Sequence, residues 1–168
     1  MGVEDIAAAA GVSPRTFNNY FRSKEEAICA IGTDRALNIA AALRATPADV
    51  PLWPAVTRAV LTQYDVGADP DRDFVERSNL VAQEPSLSAE WHRSHATVEE
   101  RLAEAITERL GLDPRRDPYP ALLAGVVMQA VRCAIMFWRK GETEDSLPVL
   151  IERALGEVAR GLPEPTAR

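Results

Sequence analysis

Two cysteines in 168 residues are too few for a disulfide framework. Cys29 and Cys133 stand in separate long apolar-periodic segments, without the Cys-x-x-Cys or Cys/His spacing of a metal site or redox pair. Both are expected to be buried, inert thiols in a reducing compartment. No basic stretch followed by an apolar core opens the chain, so nothing points to export and a cytoplasmic location is expected. The longest apolar run, Ala121 to Trp138, is interrupted by Gln129 and Arg132. Both are costly at the centre of a bilayer, so the run reads as a buried helix and no membrane partner is expected. Phosphate loop, nucleophile elbow and dinucleotide fingerprint are all missing. His92 and His95, three apart and flanked by Glu90 and Glu99, are the nearest approach to a metal or acid-base site, but spacing places no third strong ligand beside them. Neither metal, nor cofactor, nor catalysis is expected.

The composition does provide for a core, with 46% hydrophobic residues. The formal net charge of -6 excludes a general basic coat for nonspecific nucleic-acid binding. That charge is uneven. Residues 1–46 balance Arg15, Arg22, Lys24, Arg35 and Arg44 against Glu4, Asp5, Glu25, Glu26 and Asp34, so the acidic excess lies in residues 47–168. A neutral head on an acidic body suits a local reader of a polyanion, since only the docking face must be positive. Two domains are expected: a head with its connecting helix over 1–46 and a body over 47–168.

Helix signals run throughout, with no repeat and no convincing strand. Val3 to Ala10 is helix-prone and Gly11 is its left-handed stop. Ser13-Pro14 supplies an N-cap and a first-position proline for a helix to about Tyr20. Ser23-Lys24-Glu25-Glu26 reads as a capping box opening a longer helix through Leu43, which Thr46-Pro47 ends. Further helices are expected at about Leu52 to Tyr64, Asp71 to Gln83, Ser88 to Leu110, Pro118 to Arg139 and Ser146 to Arg160. Gly67, Pro85, Gly111, Gly141 and Gly161 stand as stops, with Asp71, Ser88, Asp117 and Ser146 as caps. The fold class is all-α.

The stretch Ile6 to Phe21 carries the most specific signal. Small alanines let two short helices approach, Gly11 turns the chain, and Val12 is expected to plug the angle between them, which is helix-turn-helix construction. Phe17 and Phe21, four apart, should face inward, leaving Arg15, Thr16, Asn18, Asn19 and Tyr20 outside. Arginine can grip guanine O6 and N7, asparagine can read adenine, and hydroxyls can take phosphates.

Across Val3 to Ile28, with Gly11-Val12-Ser13, Thr16-Phe17, Tyr20-Phe21 and Ser23-Lys24-Glu25, the sequence closely resembles the TetR family of repressors. The rest matches in layout, with several short helices followed by two long apolar ones. The resemblance implies a helix-turn-helix head on a helical-bundle body that binds an effector and dimerises through the last two helices. Carried over, it makes Ser13 the cap and a backbone contact, Arg15 and Asn19 base readers, and Thr16, Tyr20 and Lys24 phosphate binders. Asn18 stands where the family commonly has tyrosine, and an amide contact replaces the ring's. A basic arm and a first helix precede this motif in the family, so the head is expected to be incomplete, with Ile6, Phe17, Phe21 and Ile28 short of a packing partner.

The partners expected are double-stranded operator DNA, a second copy of the chain and a hydrophobic small molecule. Trp53, Tyr64, Phe74, Trp91 and Met128 offer large apolar surface for a pocket, with His95 and Arg132 as polar anchors. A helical ligand-binding dimer that does not bind DNA is the alternative. The apolar residues of Pro118 to Arg139 surround that helix too widely for one monomer's core, and Val149, Leu150, Ala154 and Leu155 stripe the next, which is the ground for expecting a twofold dimer.

Overall fold

Helices and short connections make up everything that the computed structural model describes, residues 2–64, 79–81 and 83–164. Among the described residues there is no strand. Helix α1 spans Val3–Ala9, and its first turn is tied by the Gly2 N–H, which donates to Asp5 Oδ2 at 2.8 Å. Gly11 then adopts φ +68°, a left-handed conformation that a side chain would strain. Helix α2 spans Pro14–Tyr20, capped by Ser13, whose Oγ accepts the Thr16 N–H at 3.0 Å. Val12 does not plug the interhelical angle as expected; it is 39% exposed.

Helix α3, Lys24–Ala45, begins with half of the expected capping box. Ser23 Oγ accepts the Glu26 N–H at 3.1 Å, but the Glu26 carboxylate takes the backbone N–H of Arg22 instead of that of Ser23. The Arg22 side chain folds onto the same carboxylate, and these hydrogen bonds hold the Glu26 carboxyl below its ordinary range.

Helices α4 (Leu52–Leu61), α5 (Pro85–Leu110), α6 (Tyr119–Trp138) and α7 (Leu147–Ala159) complete the described fold. Pro85 was expected to stop a helix and Ser88 to cap the next. Instead Pro85 opens α5, because a first helical position needs no amide proton. Gly111 ends α5 at φ +64°; the N-cap of α6 is Pro118 and not Asp117 as expected, although Asp117, one residue earlier, accepts the Tyr119 N–H at 2.9 Å. Gly67, Asp71 and Phe74 lie outside the described residues, as does most of the helix expected at Asp71 to Gln83, although Asn79, Val81 and Gln83 are helical.

The core is assembled from matched pairs four residues apart. Ile39 and Leu43 on α3, Val56 and Val60 on α4, Leu102 and Ile106 on α5, Val127 and Val131 on α6, and Ile151 and Leu155 on α7 are each at most 2% exposed. Residues i and i+4 share a helix face, so each helix presents one such pair to the centre. Burial of each side chain contributes about 1.5–3 kcal/mol.

Helix α6 has two apolar faces. By length and composition it is apolar enough to cross a membrane, with mean hydropathy 1.8. One face, through Leu123, Val127 and Val131, enters the core, while Leu122, Met136 and Phe137 are 64%, 49% and 43% exposed. Cys133 belongs to that second face and is exposed, contrary to the expectation of two buried thiols. Apolar periodicity placed it on a helix but could not say which face the monomer covers. Cys29 is buried as expected, and burial pushes its thiol up.

Helices α3 and α5 run side by side in the same direction, from Cys29, whose thiol meets the Leu87 carbonyl, to Arg44, whose Nε donates to Glu108 Oε2 at 2.7 Å. There Arg109 clamps the end of α3. Its Nη1 donates to the Thr46 carbonyl at 2.8 Å, and its Nη2 to the carbonyls of Pro47 at 2.7 Å and Val50 at 2.6 Å. Replacing Arg109 by alanine leaves those carbonyls without their charged donor, and a loss of about 1–3 kcal/mol is expected. Arg101→Ala removes an exposed pair with Glu104 and should change stability little. Thermal or urea unfolding of the two variants side by side checks the contrast.

Candidate nucleic-acid interface

Helix α2 is divided sharply between packing and display. Phe17 is 5% exposed, its ring centroid 5.3 Å from that of half-buried Phe21. Arg15, Asn18, Asn19 and Tyr20 are exposed, Tyr20 by 78%. Arg15 and Asn19 are one helical turn apart and so share a face, with Asn18 beside them. Ser13 and Thr16 are joined at the first turn, their hydroxyl oxygens 2.8 Å apart. Thr16 is half-buried, so its hydroxyl first serves the cap. Lys24 is the first residue of α3, exposed, with its Nζ 3.8 Å from Glu25 Oε1. The seven residues expected to meet DNA therefore occupy one short helix, its cap and the start of the next.

The residues expected to line an apolar pocket are dispersed. Tyr64 and Met128 are core residues, 7% and 4% exposed, and Trp53 is half-buried against the same core. Burial pushes the Tyr64 phenol up to about 12, and the Arg35 guanidinium lies 5.1 Å from its ring centroid. Trp91 is half-buried on α5 and meets His92 edge-on at 5.2 Å. Arg132 lies on α6, where its Nε donates to Gln129 Oε1 at 3.0 Å. Phe74 and the side chain of His95 lie outside the described residues. Among the described residues no three His, Cys, Asp or Glu side chains gather as a metal site would need.

A groove of about 490 Å³ lies between the first halves of α3 and α5, and the sequence reading missed it. Among the described residues its lining side chains are charged or hydroxylated, with Arg22, Glu26 and Thr33 on one side and Glu90, Arg93 and Thr97 on the other, although their carbon stems make up as much of its surface as their polar atoms. The three-residue spacing of Glu90 and Arg93 is visible in the sequence. That this stretch of α5 would lie against α3 is not.

Residues 1–29 match the family model of bacterial regulatory proteins of the tetR family, and residues 50–163 match that of the MftR C-terminal domain. The chain belongs to the TetR family. Among curated relatives, this TetR-family regulator is 34% identical over 163 residues to the HTH-type transcriptional regulator TcmR of Streptomyces glaucescens, covering 91% of this chain and 71% of that protein. It is 34% identical over 106 residues to the HTH-type transcriptional repressor LfrR of Mycolicibacterium smegmatis, covering 62% of this chain and 55% of that one. The chain is accordingly an all-α, helix-turn-helix transcriptional regulator that binds DNA.

The packing and display faces of α2 should separate by experiment. Phe17→Ala should lose about 3–5 kcal/mol of local stability, and Ser13→Ala about 1 kcal/mol through its cap. Tyr20→Ala, by contrast, should leave protection unchanged. Hydrogen exchange of the α1 and α2 amides checks all three, since the body's separate core would hide head losses from a global melt.

Proposed function

We propose that this regulator is a homodimeric repressor that reads an operator with α2 and is released by a hydrophobic small molecule. The observation that carries the reading is the division of α2, in which one buried phenylalanine holds the helix while arginine, asparagine and tyrosine stand free of the packing. Arg15 and Asn19 are the base readers, since both project from one face. Ser13, Thr16, Asn18, Tyr20 and Lys24 serve the backbone and the register of docking. The tyrosine commonly present at the position of Asn18 is absent, and its amide supplies a shorter contact.

A second copy of the chain covers the outer face of α6. Leu122, Val126, Gln129, Cys133 and Phe137 follow one another by three or four residues along that face, the spacing of a helix-helix seam. Gly125 has open space where a Cβ would stand, which permits close approach. The contribution of α7 is smaller than its sequence stripe implies, because Leu150 and Leu155 are spent on the monomer's own core while Val149 is 48% exposed. The effector is held in the body among the large apolar side chains around Trp53, Tyr64 and Met128; Trp91 and Arg132 stand apart from these and are not assigned to it. It acts by favouring a separation of the two heads unsuited to half-sites ~34 Å apart. No catalytic step is assigned to any residue.

The tests use duplexes selected from a random pool by the protein itself. Arg15→Ala and Asn19→Ala should each cost about 1–3 kcal/mol on the selected sequence and flatten discrimination at one or two base pairs. Lys24→Ala should weaken selected and random DNA alike and lower the salt slope by about one per monomer. A Lys24 variant that changes sequence preference, with an Arg15 variant that does not, overturns the orientation of α2. Selection of no sequence by a folded dimer favours the alternative, a ligand-binding dimer without a DNA target.

Sedimentation addresses the dimer directly. The wild-type chain should run as a dimer at micromolar concentration and Leu122→Arg as a monomer; a monomeric wild type sinks the interface. For the effector, a hydrophobic compound found by thermal shift should bind free protein more tightly than DNA-bound protein, since coupling is reciprocal.

A further inference from the structure

We infer that the groove between α3 and α5 is a second ligand site, for a small amino-acid-like zwitterion whose ammonium binds Glu90 and whose acid group binds the neighbouring guanidiniums. Glu90 is 9% exposed, and among the described residues it is the buried charge. Its side chain is 11% exposed, but the side chain of its partner Arg93 is 68% exposed. Two Arg93 nitrogens, Nε and Nη2, donate to one carboxylate oxygen, Oε2. The other, Oε1, accepts from Ser94 Oγ at 3.4 Å and, among the described residues, from nothing closer. A carboxylate has room for about four donors; among the described residues three are filled here, and two of those come from the solvent-exposed Arg93, so an ammonium that displaces it finds places for its own N–H groups.

Charge balance narrows the class. Glu90 pairs with Arg93 on α5 and Glu26 with Arg22 at the start of α3, so the walls are neutral in sum and carry both signs. A pure anion or a pure cation would meet a like charge on either wall, whereas a molecule bearing both is complementary. Arg93, mostly in solvent, can leave Glu90 to an incoming ammonium and take the acid group itself. Thr33 and Thr97 supply hydroxyls for the polar middle of the ligand, and about 490 Å³ is ample for such a molecule.

The site is distinct from the apolar one proposed above. It adjoins the head, because Arg22 joins α2 to α3 and Ser23 caps α3. Any effect of occupancy on DNA rests on the repressor reading. Binding itself does not, and each can fail alone. The test is calorimetric titration of the whole chain with glycine, β-alanine, 4-aminobutyrate and 6-aminohexanoate, beside the amines and carboxylic acids of matching length. Saturable binding is expected for at least one amino acid, stronger than for its amine or acid counterpart. It should weaken by about tenfold or more in Glu90→Gln and Arg93→Gln and persist in Arg153→Ala, on the far helix α7. Arg93→Gln alters an exposed side chain and serves if Glu90→Gln fails to fold. The inference is overturned if no amino acid binds at millimolar concentration, if amine or acid binds equally well, or if a folded groove variant binds like the wild type.

Discussion

The described structure depends on helix α3 as a rod that packs along α5 and against α4 and starts from the turn that follows α2. Its last turns carry Ile39, Ala40 and Leu43 into the core of the body, and its first turn is set by Ser23, a few residues beyond α2. The clamp at the far end fixes it there. Arg109 gathers the carbonyls of Thr46, Pro47 and Val50 in the connection that follows α3, and Arg44 is held by Glu108 across the same boundary. A helix fixed at one end by core and clamp, and lined at the other by charged and hydroxyl groups, has unequal hold along its length.

That inequality has a chemical cause. Toward its C-terminus α3 meets the apolar pair Leu102 and Ile106 on α5, where close packing leaves no room for water. Toward its N-terminus it faces Glu90, Arg93 and Thr97, groups that keep their energy by hydrogen bonding and tolerate solvent between the helices. The two ends of one helix pair thus differ in what separating them would cost. The end with the charged groups is the one beside the DNA-binding head, where Cys29 and Leu87 make the buried contact.

Local signals were read well from the sequence because they act through bonds only a few residues long. Ser13 and Pro14, Gly11 and Gly111 each specify a backbone conformation through their own covalent geometry or a near hydrogen bond, and each acts as its residue type requires. Failures followed the same rule. Pro85 is compatible with both the end and the beginning of a helix, and only the following turns decide between them. Glu26 had two backbone amides within reach and took that of Arg22, because the turn from α2 aims it there.

The sequence by itself determined the helical class, the helix-turn-helix and the inward direction of Phe17, because hydrophobic period, capping and turn chemistry are short-range properties. It also marked α6 as apolar on more than one side. Which of those sides the monomer covers, and hence that Cys133 and Leu122 are exposed while Val127 and Leu150 are not, was decided by tertiary packing. So were the dispersal of Tyr64, Trp91 and Arg132, and the meeting of Glu90 with the start of α3. An apolar or charged side chain declares what surroundings it needs. Which distant segment provides them depends on the angles at which whole helices cross, and these are set by every contact at once.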